Sequence, residues 1–231
     1  MIFINSCKLF ESINRFISKS IYLNQVLNEL YLKIIMLFQI TISISTMSLA
    51  DFLLSLIPLD TEELEDILSH FEKEDIPKNT MLIAEGEISK KLYFTESGMG
   101  RSYYLKKDGK EITQWFFGSG KFMSSVDSFF QQSPSFYYLE TLEDSVVFSI
   151  TKEKLDQLFS NYQKMEQLGR LVSIEMLTKV VNKLNAIQFQ TAKERYEYML
   201  EEFPDISYRV ALGHIASYLG MTQETLSRIR R

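Results

Sequence analysis

The chain has one cysteine in 231 residues, Cys7. A single thiol excludes an intramolecular disulfide framework, and with it any iron–sulfur or zinc centre that needs several thiolates from one chain. Such sparing use of cysteine fits a reducing, cytoplasmic setting. Histidine is nearly as scarce. His70 and His214 stand far apart in sequence, so both read as surface or packed residues, and no metal site is expected. Nucleophile–base spacing and a phosphate-cradling glycine loop are missing as well, which argues against an enzyme and leaves no cofactor implied. Long apolar runs are also lacking. The longest, 34–44, is broken by Gln39, Thr41 and Ser43. It has about half of the ~20 residues that a membrane-spanning helix requires, and it begins too far along the chain for a signal peptide. No membrane partner is expected. An excess of positive charge is the last absence. The formal net charge is −5, so any affinity for nucleic acid has to come from a local basic face.

What is present divides into four segments. Residues 1–46 carry ten isoleucines and neither glycine nor proline. They read as an upstream extension before a natural start at Met47, with a membrane-surface helix as the alternative. Residues 47–160 begin with helical periodicity through Phe52, Leu56, Leu64, Ile67, Leu68 and Phe71, with Asp60 or Thr61 as a cap. Short β-rich runs follow at 80–84, 91–96, 101–106, 111–117, 136–141 and 145–150. Glycines punctuate them, and Asp108-Gly109 marks a hairpin. This pattern predicts a β-sandwich or roll. Residues 161–188 predict one long helix whose apolar positions cover more than one stripe, so that it buries a face in its own domain and offers another to a partner. Residues 189–231 open with a helix capped by Thr191 and stopped by Pro204. A short wing strand is expected at 206–210, and a final helical pair completes the segment. With 45% hydrophobic and 24% charged residues, the composition supports a sizeable core.

That final pair carries the most information. In LGHIASYLGMTQETLSRIRR, Gly220 stands where a turn needs positive φ, and Ala216 is small enough for two helices to cross. Ile215, Leu219, Met221, Leu226 and Ile229 supply the apolar contacts, and Thr222 can cap the second helix. Gln223, Glu224, Ser227 and Arg228 then fall on its outer side, followed by Arg230 and Arg231. This is the pattern of a helix-turn-helix that reads double-stranded DNA. Arg228 can give two hydrogen bonds to guanine, and Glu224 can accept from cytosine. The two also stand four apart, as an ion pair would require. Thr222 and the first turn of the helix would face a phosphate. The acidic residues Glu194, Glu197, Glu201, Glu202 and Asp205 nearby count against non-specific attraction.

A β-roll, a long helix and a C-terminal helix-turn-helix, in this order, resemble the Crp/Fnr family of bacterial transcription regulators. The resemblance covers about residues 47–231 and is carried best by IPKNTMLIAEGEISKKLYFTESGMGRSYY and SYLGMTQETLSRIRR. It implies an α+β chain: a double-stranded β-helix sensor domain of the cyclic-nucleotide-binding type, a dimerisation helix and a winged helix-turn-helix. It also implies a homodimer on a palindromic operator, with RNA polymerase as a further partner and a small-molecule effector of unassigned identity. Glu224, Ser227 and Arg228 match the family's base-reading positions. The effector pocket does not match. Ser124 and Ser125 stand where cyclic-AMP binders have Gly-Glu, and Ser135 and Phe136 stand near the Arg-Ser positions. No arginine occurs between Arg101 and Arg170. A cyclic phosphate buried without a cation is costly, so tight cyclic-nucleotide binding is not expected. Lys121, the nearest base, reads as an exposed turn residue, and most of the aromatic cluster from Trp115 to Tyr138 reads as roll core. The alternative function is a degenerate sensor that signals through protein contacts without binding DNA.

Overall fold

The computed structural model describes residues 46–230. The expectations for residues 1–45 and for Arg231 therefore lie outside the described residues. Helices α1 (Leu49–Leu56) and α2 (Thr61–Ser69) come first. Ser48 caps α1, and Asp60 with Glu63 forms a reciprocal capping box on α2. Eight strands follow: β1 (Glu72–Ile76), β2 (Met81–Ile83), β3 (Lys91–Ser97), β4 (Gly100–Leu105), β5 (Glu111–Phe117), β6 (Lys121–Met123), β7 (Tyr138–Thr141) and β8 (Ser145–Thr151). The short helix α3 (Val126–Gln131) lies between β6 and β7. The strands form two antiparallel four-stranded sheets, ordered β1-β8-β3-β6 and β2-β7-β4-β5. Ile76, Ile83, Phe117, Met123, Leu139 and Val147 fill the space between them. Gly98 shows why glycine is needed at this packing. Its φ is +105°, and an added Cβ would lie 2.1 Å from the Ser145 hydroxyl.

The remaining helices are α4 (Lys152–Asn161), α5 (Gln163–Phe189), α6 (Ala192–Glu202), α7 (Ile206–Arg209), α8 (Leu212–Tyr218) and α9 (Gln223–Ile229). One core joins α1, α2, α4 and the start of α5 to Phe94 and Ile150 of the roll. Another joins α6 to α9 to Met99, Phe116 and Leu142 on the opposite side. The C-terminal helices are thus packed on the roll through a shared apolar core, with Phe203, Ile206 and Leu226 among its buried residues.

The six anticipated strands are present with small shifts of their ends, and the long helix closes within two residues of the expected bounds. Two strands and one helix were not anticipated. β1 reads EKEDI, a charged stretch that sequence patterning assigns to solvent. It forms an edge strand on β8 with only Ile76 fully buried. β6 has three residues, and α3 has six. The expected wing strand at 206–210 is wrong. The segment is the helical turn α7, and the Val210 amide donates to the Ile206 carbonyl at 2.9 Å. Ile206 and Val210, four apart, are buried, whereas Tyr208 between them is 92% exposed. In a strand all three would share a face. Among the described residues no strand follows β8, and no helix is long and apolar enough to cross a membrane.

Candidate nucleic-acid interface

Helices α8 and α9 meet at a turn built as the residue types require. Gly220 has a φ of +66°, and the Met221 amide closes the turn on the Ala216 carbonyl at 3.0 Å. Ala216, Ile215, Leu219 and Leu226 are buried at the crossing, and Met221 and Ile229 partly so. The Thr222 hydroxyl accepts from the Thr225 amide at 3.2 Å, which satisfies one free donor of α9. Thr222, Gln223, Glu224, Ser227, Arg228 and Arg230 are all exposed. The expected ion pair between Glu224 and Arg228 is not formed. Hydrogen bonding at the first turn of α9, from the Glu224 amide foremost and then from Thr222, holds the Glu224 carboxyl below the usual carboxylate range. The Arg228 guanidinium is left facing solvent.

The acidity of this end is largely consumed by internal contacts. Glu194 closes a capping box with Thr191 on α6. Glu202 pairs with Lys179 at 2.8 Å, Asp205 with Arg209 at 3.1 Å, and Glu197 with Lys193 at 3.7 Å. The exposed side of α9 carries Glu224 as its only acid.

The docking of this end on the roll was not visible in the sequence. Arg101 of β4 is 2% exposed. Its guanidinium donates to Glu140 at 2.6 Å, to Glu111 at 2.5 Å and to Nδ1 of His214 on α8 at 2.7 Å. An arginine only donates, so His214 accepts here as a neutral ring. Burial, and then the Arg101 charge, lower its pKa. Beside it lies β5, the outer strand of its sheet. The Thr113 amide of that strand donates to the Ser217 hydroxyl at 3.1 Å, and its Gln114 carbonyl accepts from the Lys183 ammonium of α5. Lys183 also sits 3.7 Å above the Tyr218 ring and 5.0 Å from that of Trp115. Burial pushes its pKa down to about 7. Arg209 reaches both carboxylate oxygens of Glu143, at 2.7 and 3.0 Å, and the Gly98 carbonyl at 2.9 Å. A lone arginine or histidine offers no local signal for partners a hundred residues away.

The three candidate effector serines come together. Ser124, Ser125 and Ser135 are buried. Ser135 donates to the Ser125 hydroxyl at 2.8 Å, Ser124 and Ser89 share a bond of 2.9 Å, and Ser125 donates to Asp127 at 3.0 Å. Their hydroxyls are therefore spent on one another and on neighbours, with no cation among those partners. Phe136 does not join them, being 57% exposed. The aromatic run is accordingly split: Phe116, Phe117 and Phe129 are core, whereas Phe130 and Phe136 face solvent. Ser124 and Ser125 border a cleft of about 1050 Å³ between the roll and α5, with Phe122, Tyr137 and Lys183 also on its walls. Lys121 is no turn residue. It opens β6 on the wall of this cleft and pairs with Glu175 of α5 at 3.3 Å. Along α5, Ile174, Leu177, Val181 and Leu184 are exposed at steps of three and four, and Ile187 follows; Leu184 and Ile187 also border the cleft.

Comparison with known proteins agrees with this architecture. The family described as "Cyclic nucleotide-binding domain" matches residues 73–162. The anaerobic regulatory protein of Aggregatibacter actinomycetemcomitans is 28% identical over 181 residues, covering 74% of this chain and 69% of that protein. The fumarate and nitrate reduction regulatory protein of Vibrio cholerae is 29% identical, covering 74% and 71%. Among solved structures, the c-di-GMP responsive global regulator CLP of Xanthomonas campestris shares the fold. Its TM-score is 0.57 at 21% identity, covering 74% of this chain and 89% of that one.

Proposed function

Because the chain belongs to the Crp/Fnr family and is a transcription regulator of that type, we propose that it acts as a homodimer reading a palindromic site in double-stranded DNA, without responding to cyclic AMP. The exposed outer side of α9, where Ser227 and Arg228 face solvent beside Glu224, carries this reading. Arg228 is the base reader with most to give, since a guanidinium can take both acceptors of one guanine. The exposed apolar stripe on α5 is the surface on which two copies pair. Pairing there would set the two recognition helices about one turn of DNA apart, roughly 34 Å. The self-satisfied serines at the cleft corner support the absence of a cyclic-phosphate site. Lys121 on the same cleft wall is already paired with Glu175, so an anion bound beside the serines would have to displace that partner or be desolvated unpaired, which is costly. RNA polymerase and an effector of another class are the remaining partners.

The test is selection of a random DNA pool on the purified full-length protein, repeated with Arg228→Ala. An enriched palindrome is expected. The substitution should weaken the winner by about 1–3 kcal/mol and relax one base position. An equal loss on every sequence would make Arg228 a phosphate contact instead. If nothing is enriched at low salt, signalling through protein contacts becomes the better reading.

A further inference from the structure

Among the described residues, the helix-turn-helix end is short of free cations for a DNA binder. Arg195 is spent on the Leu219 and Gln190 carbonyls, Arg209 on Glu143 and Asp205, and Lys193 on Glu197. Arg228 and Arg230 remain exposed on or beside α9. Site-specific DNA binding draws much of its affinity from several phosphate contacts, so further cations have to come from elsewhere in the molecule.

The tip of the β4–β5 hairpin has them. Lys106, Lys107 and Lys110 are exposed there beside one acid, Asp108, and none has a carboxylate within ion-pair distance among the described residues. The tip is well ordered by its own hydrogen bonds. The Lys106 amide donates to the Lys110 carbonyl at 2.9 Å, the Gly109 amide to the Lys106 carbonyl at 2.8 Å, and the Lys110 amide to Asp108 at 3.1 Å.

A chain of contacts places this tip beside the recognition helix. Glu111, next to Lys110, holds Arg101, and Arg101 holds His214. Gly213, next to His214, is packed so closely under Gln223 that an added Cβ would lie 2.7 Å from its amide nitrogen. Gln223 opens α9 and precedes Glu224. The Lys110 charge is accordingly felt at Glu224, where it adds to the lowering of the carboxyl. The start of α9 and the lysine tip are thus neighbours, linked through the buried Arg101.

We propose that Lys106, Lys107 and Lys110 of the sensor roll extend the DNA-reading surface and contact the phosphate backbone flanking the bases read by α9. This rests on the DNA-binding reading above. The lysines would add affinity without sequence preference, because a phosphate contact positions the protein and carries no base information. They would also make affinity depend on how the roll and the reading end are docked.

The test compares the full-length protein with a Lys106→Gln, Lys107→Gln, Lys110→Gln variant on the selected operator and on a scrambled duplex of equal length, from low to moderate salt. Each lost phosphate contact flattens the plot of log affinity against log salt by about 0.9. The six lysines on the two hairpins of a dimer should therefore flatten it by about 5, with the preference for operator over scrambled DNA unchanged. The triple Lys→Arg variant should retain the wild-type slope, and an unchanged melting temperature in both variants shows that the hairpin still folds. An unchanged slope overturns the proposal. So does tighter binding by the Gln variant, which would mean that the tip shields α9. Failure of the wild-type protein to bind any duplex would instead refute the DNA-binding reading and the proposal with it.

Discussion

Arg101 and His214 offer a direct measure of how strongly the reading end is held on the roll. The single substitution Arg101→Met removes a buried guanidinium and leaves Glu140, whose side chain is 18% exposed, without its partner. Breaking a buried pair on one side costs about 3–5 kcal/mol. The low end applies here, because Glu111 is 43% exposed and can turn to water. His214→Ala removes one hydrogen bond from a charged donor, about 1.5–3 kcal/mol. The informative quantity is the coupling in the double-mutant cycle. It should be about 1–2 kcal/mol near pH 8, well above the ~0.3–0.5 kcal/mol scatter of independent sites. Urea unfolding followed by fluorescence reads it out cleanly, since Trp115 is the single tryptophan and packs edge-on against Tyr218 at this junction. The coupling also has a sign in pH. In the unfolded chain His214 takes up its proton near the ordinary value of about 6.5, but in the folded protein only at lower pH. Between these values the unfolded chain binds more protons, so stability rises with pH. The contact is at full strength above pH 6.5 and fades as pH falls through the lowered value, where a protonated ring faces the guanidinium. Zero coupling at pH 8, or coupling that grows on acidification, would refute this account of the latch.

Two further outcomes follow from the long helix. Leu177 and Leu184 are 64% and 54% exposed on the apolar stripe of α5, so Leu177→Glu with Leu184→Glu should turn a dimer into a monomer in sedimentation equilibrium while leaving the circular dichroism of the chain unchanged. A dimer that survives both charges would place the pairing surface elsewhere. Lys183 is half-buried, and lost solvation brings its pKa down to about 7, far below the ~10.4 of a free lysine. The unfolded chain therefore holds the extra proton from about pH 7 upward, and the stability of the wild-type protein relative to Lys183→Met should rise between pH 7 and 9. A flat difference would show the ammonium to be fully compensated by the rings of Tyr218 and Trp115.

Legibility in the sequence tracked the range of the interactions. The turn at Gly220, the cap at Thr222 and the crossing at Ala216 are set by residues within ten positions of one another, and they could be placed from the chain alone. So could the hairpin at Asp108-Gly109. β1 could not, because charge on an edge strand resembles charge in a loop. The segment 206–210 was misread because Ile206, Tyr208 and Val210 alternate on paper, while burial separates the middle residue from the outer two. The serines at 124, 125 and 135 were legible as a group. That they would satisfy one another was not, since hydroxyl partners depend on backbone positions set by the whole roll. The docking of α8 on β5 was the least legible. Arg101 and His214 are 113 positions apart, and nothing local marks either of them.

The free side of β5 has a consequence beyond regulation. A strand at the margin of a sheet exposes unpaired amides and carbonyls, and another chain can add to it. Here Ser217 and Lys183 occupy that margin at Thr113 and Gln114. Helices α5 and α8 therefore also shield the margin of the roll from another chain. A roll expressed without them would present a bare strand and self-associate. A chimera that joined this roll to another protein's reading end would need a hydroxyl and an amine at the positions of Ser217 and Lys183 to stay in solution.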